Sequence, residues 1–306
     1  MSLKDTHLKK GAGSIKTVLL ALVVMALWGS LFPMVKIGYS TLSINSASVA
    51  SILLFAGVRF TVCGGVTLGI SAARKDRIKE NKGRVLTSIL LIGLFSIVLH
   101  YAFTYIGLTT TDSSKTALIK QIGTLTYICS APLFFKEETV TAKKLIGAGL
   151  GFIGILAINY TGNSISFSLG DLLILIAAAC TVVSSIITKR TVNKASAFTI
   201  TGVSQFSGGI VLLIAAFLLG GASMTLSGWG IAVFAYICTA STVAYLIWNY
   251  VLRSGTLSKM FVIKFAEPLF AAIFGALLLG EDILKPQYLL AFALIALGVL
   301  LASKEK

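Results

Sequence analysis

The chain has 306 residues, of which 56% are hydrophobic and only 12% charged, with a mean hydropathy of +0.93. Soluble domains run at about a quarter charged, so a cytosolic enzyme, a secreted disulfide scaffold and a disordered chain are excluded together. The formal net charge of +15 does not indicate nucleic acid, because the basic residues collect in short gaps between apolar runs.

A helix needs about 20 mostly apolar residues to cross hydrocarbon. Ten stretches qualify in chain order: 17–38, 46–72, 85–108, 116–135, 142–160, 169–187, 198–219, 229–252, 260–279 and 286–302. The first follows Lys9, Lys10 and Lys16. Its apolar run exceeds the roughly 7–15 residues of a signal peptide and no small-x-small site follows, so it reads as a retained helix. Cys63, Cys129, Cys180 and Cys238 sit inside apolar runs without CxxC spacing and read as small buried hydrophobes.

Lysine and arginine orient the spans. Alternate connections, with the two termini, hold 19 of them; the intervening connections hold only Lys285. Both termini are therefore expected to be cytoplasmic and the number of spans even.

Displacing the chain by 144 residues brings like onto like. Gly64-Gly65 falls on Gly208-Gly209, Tyr101 on Tyr245, Ser114-Lys115 on Ser258-Lys259, Lys120 on Lys264 and Glu137 on Glu281. Lysine is scarce in membrane spans, which makes the lysine pairs informative. The expected organisation is an all-α membrane protein of ten transmembrane helices in two five-helix repeats, 1–165 and 166–306. An odd span count inverts the second repeat, and inverted repeats with a site near the midplane are transporter architecture.

The residues that carry a family likeness are Leu27-Trp28-Gly29-Ser30 with Lys36, Val58-Arg59-Phe60, and Phe134-Phe135-Lys136-Glu137-Glu138. Gly170-Asp171-Leu172 and Phe265-Ala266-Glu267-Pro268-Leu269 with Leu279-Gly280-Glu281 complete the set. In this order, on ten spans, the chain resembles the EamA-like branch of the drug/metabolite transporter superfamily over essentially its whole length. The resemblance implies a multi-pass carrier of small metabolites in the bacterial inner membrane, often an exporter, with a cavity lined by spans three, four, eight and nine. The lysines of spans four and nine depart from the broad family pattern. They are similar to the basic anion-binding positions of the related triose-phosphate translocators.

A charged side chain at a helix centre costs about 2.5–3.5 kcal/mol on insertion scales. Lys115 and Lys259, at span ends, can snorkel. Lys120 and Lys264 lie five residues deeper, roughly 7.5 Å, and are expected to face a cavity and clamp an acidic group from two sides. Glu267 is within reach of an intrahelical pair with Lys264, whereas Lys120 has no such partner in sequence. Glu267 is also the one acid well inside a span, and beside Lys264 it suits a cation exporter poorly. Tyr101 with Tyr105, and Tyr245 with Asn249, share helical faces at spacing four; with His100, Trp248 and Gln121 they complete the candidate substrate-binding set. Arg59 and Lys36 read as braces between helices or donors to carbonyls.

No HExxH, Walker loop or nucleotide site is present. Ser168-Leu169-Gly170-Asp171 lacks the first glycine of the GxGD of intramembrane proteases and finds no second intramembrane aspartate. Neither catalysis nor a metal or other cofactor is implied. The expected partners are the bilayer and a small substrate, anionic or amino-acid-like, handled by a monomer or homodimer. An efflux carrier of amino acids or neutral metabolites with structural lysines stays open, as does a membrane sensor or scaffold without flux.

Overall fold

In the computed structural model the structure describes residues 15–135, 141–159, 167–225, 227–254, 263–264, 266–283 and 285–303. Every regular element among them is helical. In chain order they are α1 (Ile15–Thr41), α2 (Val49–Ala73), α3 (Lys82–Gly93), a π-helical segment (Leu94–Leu99) and α4 (His100–Gly107). There follow α5 (Ser113–Phe134), α6 (Ala142–Asn159), α7 (Leu169–Thr191), α8 (Ala197–Leu219) and α9 (Gly228–Ser254). The last two are α10 (Ala266–Leu279) and α11 (Pro286–Ser303).

Six helical stretches are long and apolar enough to cross a bilayer: Leu19–Thr41, Val49–Ala73, Lys82–Gly107, Leu169–Thr191, Ala197–Leu219 and Gly228–Arg253. The apolar parts of α6, α10 and α11 are shorter. The 22-residue α5 is long but carries Lys115, Lys120 and Gln121. Apolar side chains face outward, as lipid requires: Leu133 is 80% and Leu218 83% exposed. Lys259 and the Lys136-Glu137-Glu138 and Phe265 positions lie outside the described residues.

Helices associate in a membrane through small residues that let backbones approach, since lipid tails remove the apolar incentive. The α2/α8 contact shows it. A methyl on Gly57 would stand 2.8 Å from the Leu213 amide nitrogen, one on Gly202 2.9 Å from that of Leu68, and Gly64 abuts the Phe206 backbone. Likewise α6 packs on α11, where Gly298 meets the Gly147 carbonyl. Helix α1 packs on α9 and α10, and α7 on α4 and α5.

Polar ties close the bundle at both ends. At one end, Lys36 Nζ lies 3.7 Å from Glu281 Oε1, which also accepts the Ser113 amide at 3.1 Å. Beside them Lys115 Nζ is 2.9 Å from Asp171 Oδ2. At the other end, Ser196 donates to Asp76 at 2.6 Å, Lys194 pairs with Glu80 at 2.9 Å, and Arg253 donates to the Ala195 carbonyl. Lys36 thus braces helices as expected, and Lys115 is held by a carboxylate. None of the four cysteines is in a disulfide; Cys63 and Cys180 are buried and the other two half-buried.

Candidate functional site

Two devices in the backbone set up the site. The third span winds as a π-helix over Leu94–Leu99, directly before His100. The wider winding shifts the phase of everything after it, and His100, Tyr101, Thr104, Tyr105 and Leu108 all meet one cavity with Ser96 and Ile92. Close contact of α1 and α10 is the second: a methyl on Gly29 would come within 2.9 Å of the Glu267 carbonyl and the Ala271 amide nitrogen. Only a glycine lets α10 sit there and place Glu267, an acid in its first turn where the helix dipole favours negative charge.

The cavity gathers side chains from α1, α2, the third span, α5, α7, α8, α9 and the start of α10. Its volume is about 110 Å³, room for several waters. All ten candidate residues line it: His100, Tyr101, Tyr105, Lys120, Gln121, Tyr245, Trp248, Asn249, Lys264 and Glu267. The lining is wider than spans three, four, eight and nine. Trp28 and Phe32 of α1, Arg59 of α2, and Thr181, Ser184, Ser185 and Thr188 of α7 join it. The α7 hydroxyls recur at a helical spacing of three, four and seven, a signal present in the sequence. Arg59 was read from the sequence as a brace, and no feature of the sequence turns it inward.

His100 is satisfied on both nitrogens. Its Nδ1 lies 3.0 Å from the Ala177 carbonyl and 3.0 Å from Thr181 Oγ1. A carbonyl only accepts, so in the neutral ring Nδ1 carries the proton and Nε2 offers a lone pair. Lys120 Nζ donates to that lone pair at 3.4 Å and stands 4.8 Å from the centre of the Phe32 ring. Lys120 is therefore not the partnerless cation that its helix suggested, because the partner comes from another span.

Lys264 sits in a turn ahead of α10, where the Glu267 amide donates to its carbonyl at 3.1 Å. Lys264 and Glu267, three residues apart, therefore flank the start of the helix at Ala266 and do not both lie within it. The Lys264 ammonium lies 5.5 Å from the ring centres of both Trp28 and Trp248. Those indoles are 5.5 Å apart, with Tyr245 5.7 Å from Trp28. Tyr245 donates to the Tyr101 hydroxyl at 3.3 Å, and Asn249 Nδ2 to Thr201 Oγ1 at 2.9 Å. Gln121 Nε2 bonds the Ala117 carbonyl at 3.4 Å, and its buried Oε1 receives no hydrogen bond among the described residues.

Arg59 is fully buried and meets rings where carbonyls were expected. Its guanidinium carbon lies 4.7, 5.3 and 5.8 Å from the centres of Phe60, Tyr101 and Tyr105. Among the described residues none of its side-chain nitrogens has a hydrogen-bond acceptor.

The EamA-like transporter family model matches residues 15–160 and again residues 168–304. A protein of Archaeoglobus fulgidus named an uncharacterized transporter is 26% identical over 90% of this chain and 92% of its own. The Escherichia coli K12 uncharacterized inner membrane transporter YedA is 26% identical over 92% of each chain. A Chlamydia muridarum protein named an S-adenosylmethionine/S-adenosylhomocysteine transporter is 24% identical over 92% of this chain and 89% of its own. One solved crystal structure shares the fold with a TM-score of 0.69 at 17% identity, covering 94% of this chain and 96% of its own. A family match over both halves, apolar spans and lipid-facing leucines agree: the chain belongs to the EamA-like transporter family and is a multi-pass transporter of the bacterial inner membrane.

Proposed function

We propose that the protein moves a small organic anion or zwitterionic metabolite by alternating access, as a secondary-active exporter or exchanger without enzymatic activity. The observation that carries this reading is that Lys120 and Lys264, 144 positions apart, line one cavity. Two basic side chains reaching the same hollow from different parts of the chain favour an acidic group, and low polarity around them strengthens the attraction.

The ten-helix reading, with repeats 1–165 and 166–306 inverted and both termini cytoplasmic, draws on the pattern of helix contacts. At the 144 offset α2 corresponds to α8, α6 to α11, α5 to α10, α7 to α1, and the third span to α9. Each of α2/α8, α6/α11 and α5/α10 is a packed pair, and α1/α9 has its counterpart in α7/α4 and α1/α10 in α7/α5. Exchange of partners under the offset is what a twofold relation produces. Such a pair of units can trade conformations, so a state open to one side has a partner open to the other.

Within this reading an amino-acid-like zwitterion is favoured by Glu267 on the cavity wall, which suits an ammonium group; the alternative is an efflux carrier of amino acids or neutral metabolites in which the lysines are structural. The Chlamydia muridarum relative is named for substrates that carry an amino-acid head group.

The test is counterflow into vesicles holding the purified protein, with a library of anionic and amino-acid metabolites. K120Q and K264Q should each lower flux of the acidic substrate about tenfold, the weight of one charged hydrogen bond. Unchanged flux in both variants would leave the lysines structural. No flux of any library member would overturn carriage itself.

A further inference from the structure

Arg59 stands apart from the other charged groups of the cavity. A buried lysine can shed its proton, but a guanidinium stays charged in any protein environment. Here it is fully buried, with no acceptor for its side-chain nitrogens among the described residues. The three rings around it attract a cation through their faces but take none of its five hydrogen bonds. Two further donors line the same cavity, on the helix whose Tyr105 ring the guanidinium meets at 5.8 Å: the buried Tyr105 hydroxyl and Thr104 Oγ1 have no partner among the described residues. Planar donors in a fork with two hydroxyls alongside match a carboxylate or phosphate.

The lysines have other neighbours. Lys120 Nζ meets His100 Nε2 and Lys264 lies over the two indoles, whereas the guanidinium of Arg59 lies over Phe60, Tyr101 and Tyr105. Among the described residues Arg59, Lys120 and Lys264 line the cavity against one carboxylate, Glu267, so its charge favours a ligand with more than one acidic group.

We infer that Arg59, with the Tyr105 and Thr104 hydroxyls, is a second anion-binding pole of the cavity, and that the substrate class is a metabolite bearing two acidic groups, one for Arg59 and one for Lys120 and Lys264. This rests on the transport reading above for its setting, but it is tested by binding.

The experiment is thermal unfolding of the full chain in detergent with malonate, succinate, glutarate or adipate, each against its monoamide. In the wild-type protein at least one diacid raises the melting temperature and its monoamide raises it much less. R59Q loses that difference, with binding about tenfold weaker, while R59K keeps part of it. R59M, with no added ligand, melts at or above the wild type, because it removes a buried cation whose donors find no acceptor among the described residues. The assignment is overturned if no diacid stabilises the wild type, if diacid and monoamide act alike, or if R59Q keeps the difference. A large loss of melting temperature in R59M would mark Arg59 as a brace and overturn it too. Normal counterflow by R59Q removes this inference and leaves transport standing; absence of counterflow in the wild type removes transport and leaves an Arg59-dependent diacid shift intact.

Discussion

Tyr245 donates a hydrogen bond to Tyr101 at 3.3 Å, and the two tyrosines are 144 residues apart, the offset that aligns one half of the chain on the other. In the proposed inverted-repeat arrangement, corresponding residues meet in this way close to the axis that would relate the halves. The bond also joins α9 to the third span at the wall of the cavity. Removing either hydroxyl should cost about 0.5–1.5 kcal/mol. Because both substitutions delete the same bond, Y101F/Y245F should cost little more than one single change, a positive coupling that a double-mutant cycle of melting free energies reads directly. Additive costs would mean that each hydroxyl finds other partners.

The Lys115–Asp171 pair ties α5 to α7 at one end of the bundle. Asp171 is fully buried, accepts the Ser168 amide at 2.8 Å as part of the cap of α7, and takes the Thr111 hydroxyl at 3.4 Å. Taking Lys115 away strands a carboxylate in a dry site, and K115M should destabilise by about 3–5 kcal/mol. K115M/D171L removes the stranded charge and should recover part of that loss, less the cap. Thermal melts of the three proteins check the order wild type, double variant, single variant.

Glycine at α2/α8 carries a steric prediction. Gly64 faces the Phe206 backbone, which cannot swing aside as a side-chain tip would. G64A should cost about 1–3 kcal/mol by overpacking, and G64L more. G69A, a position with open space around it, should be neutral within the error of the same melting experiment.

The order of spans, the face shared by Tyr101 and Tyr105, and the inward lysines were all legible in the sequence because each depends on local spacing or on charge against apolar background. Partners were not. The imidazole that meets Lys120 comes from another span, and the carboxylate that holds Lys115 is 56 residues away. The 144 offset tells which residues correspond, yet most contacts fall between residues that do not. Lys264 was placed inside a helix because its surroundings are apolar on both sides, and hydropathy does not register that the chain turns before Ala266. The π-helical winding before His100 likewise leaves no mark in periodicity, though it decides which face the third span turns to the cavity. Arg59 looked like a brace because arginine in a span usually finds a carbonyl; its surroundings are set by rings on α2 and the third span together.

The tryptophans offer a direct optical readout of the site. The chain has three: Trp28 and Trp248 face each other at 5.5 Å on the cavity wall with Lys264 near both, and Trp229 is 69% exposed. Emission from the first two depends on the charge and water beside them, and a bound anion changes both at once by drawing the Lys264 ammonium and displacing water. Titrating a stabilising ligand into purified protein should therefore change intrinsic emission saturably. W229F should keep the full change, W28F and W248F should each lose a large part of it, and K264Q should shrink it in a protein whose indoles are intact. A change that survives in W28F/W248F would report the exposed Trp229 and would detach the signal, and the ligand, from this cavity.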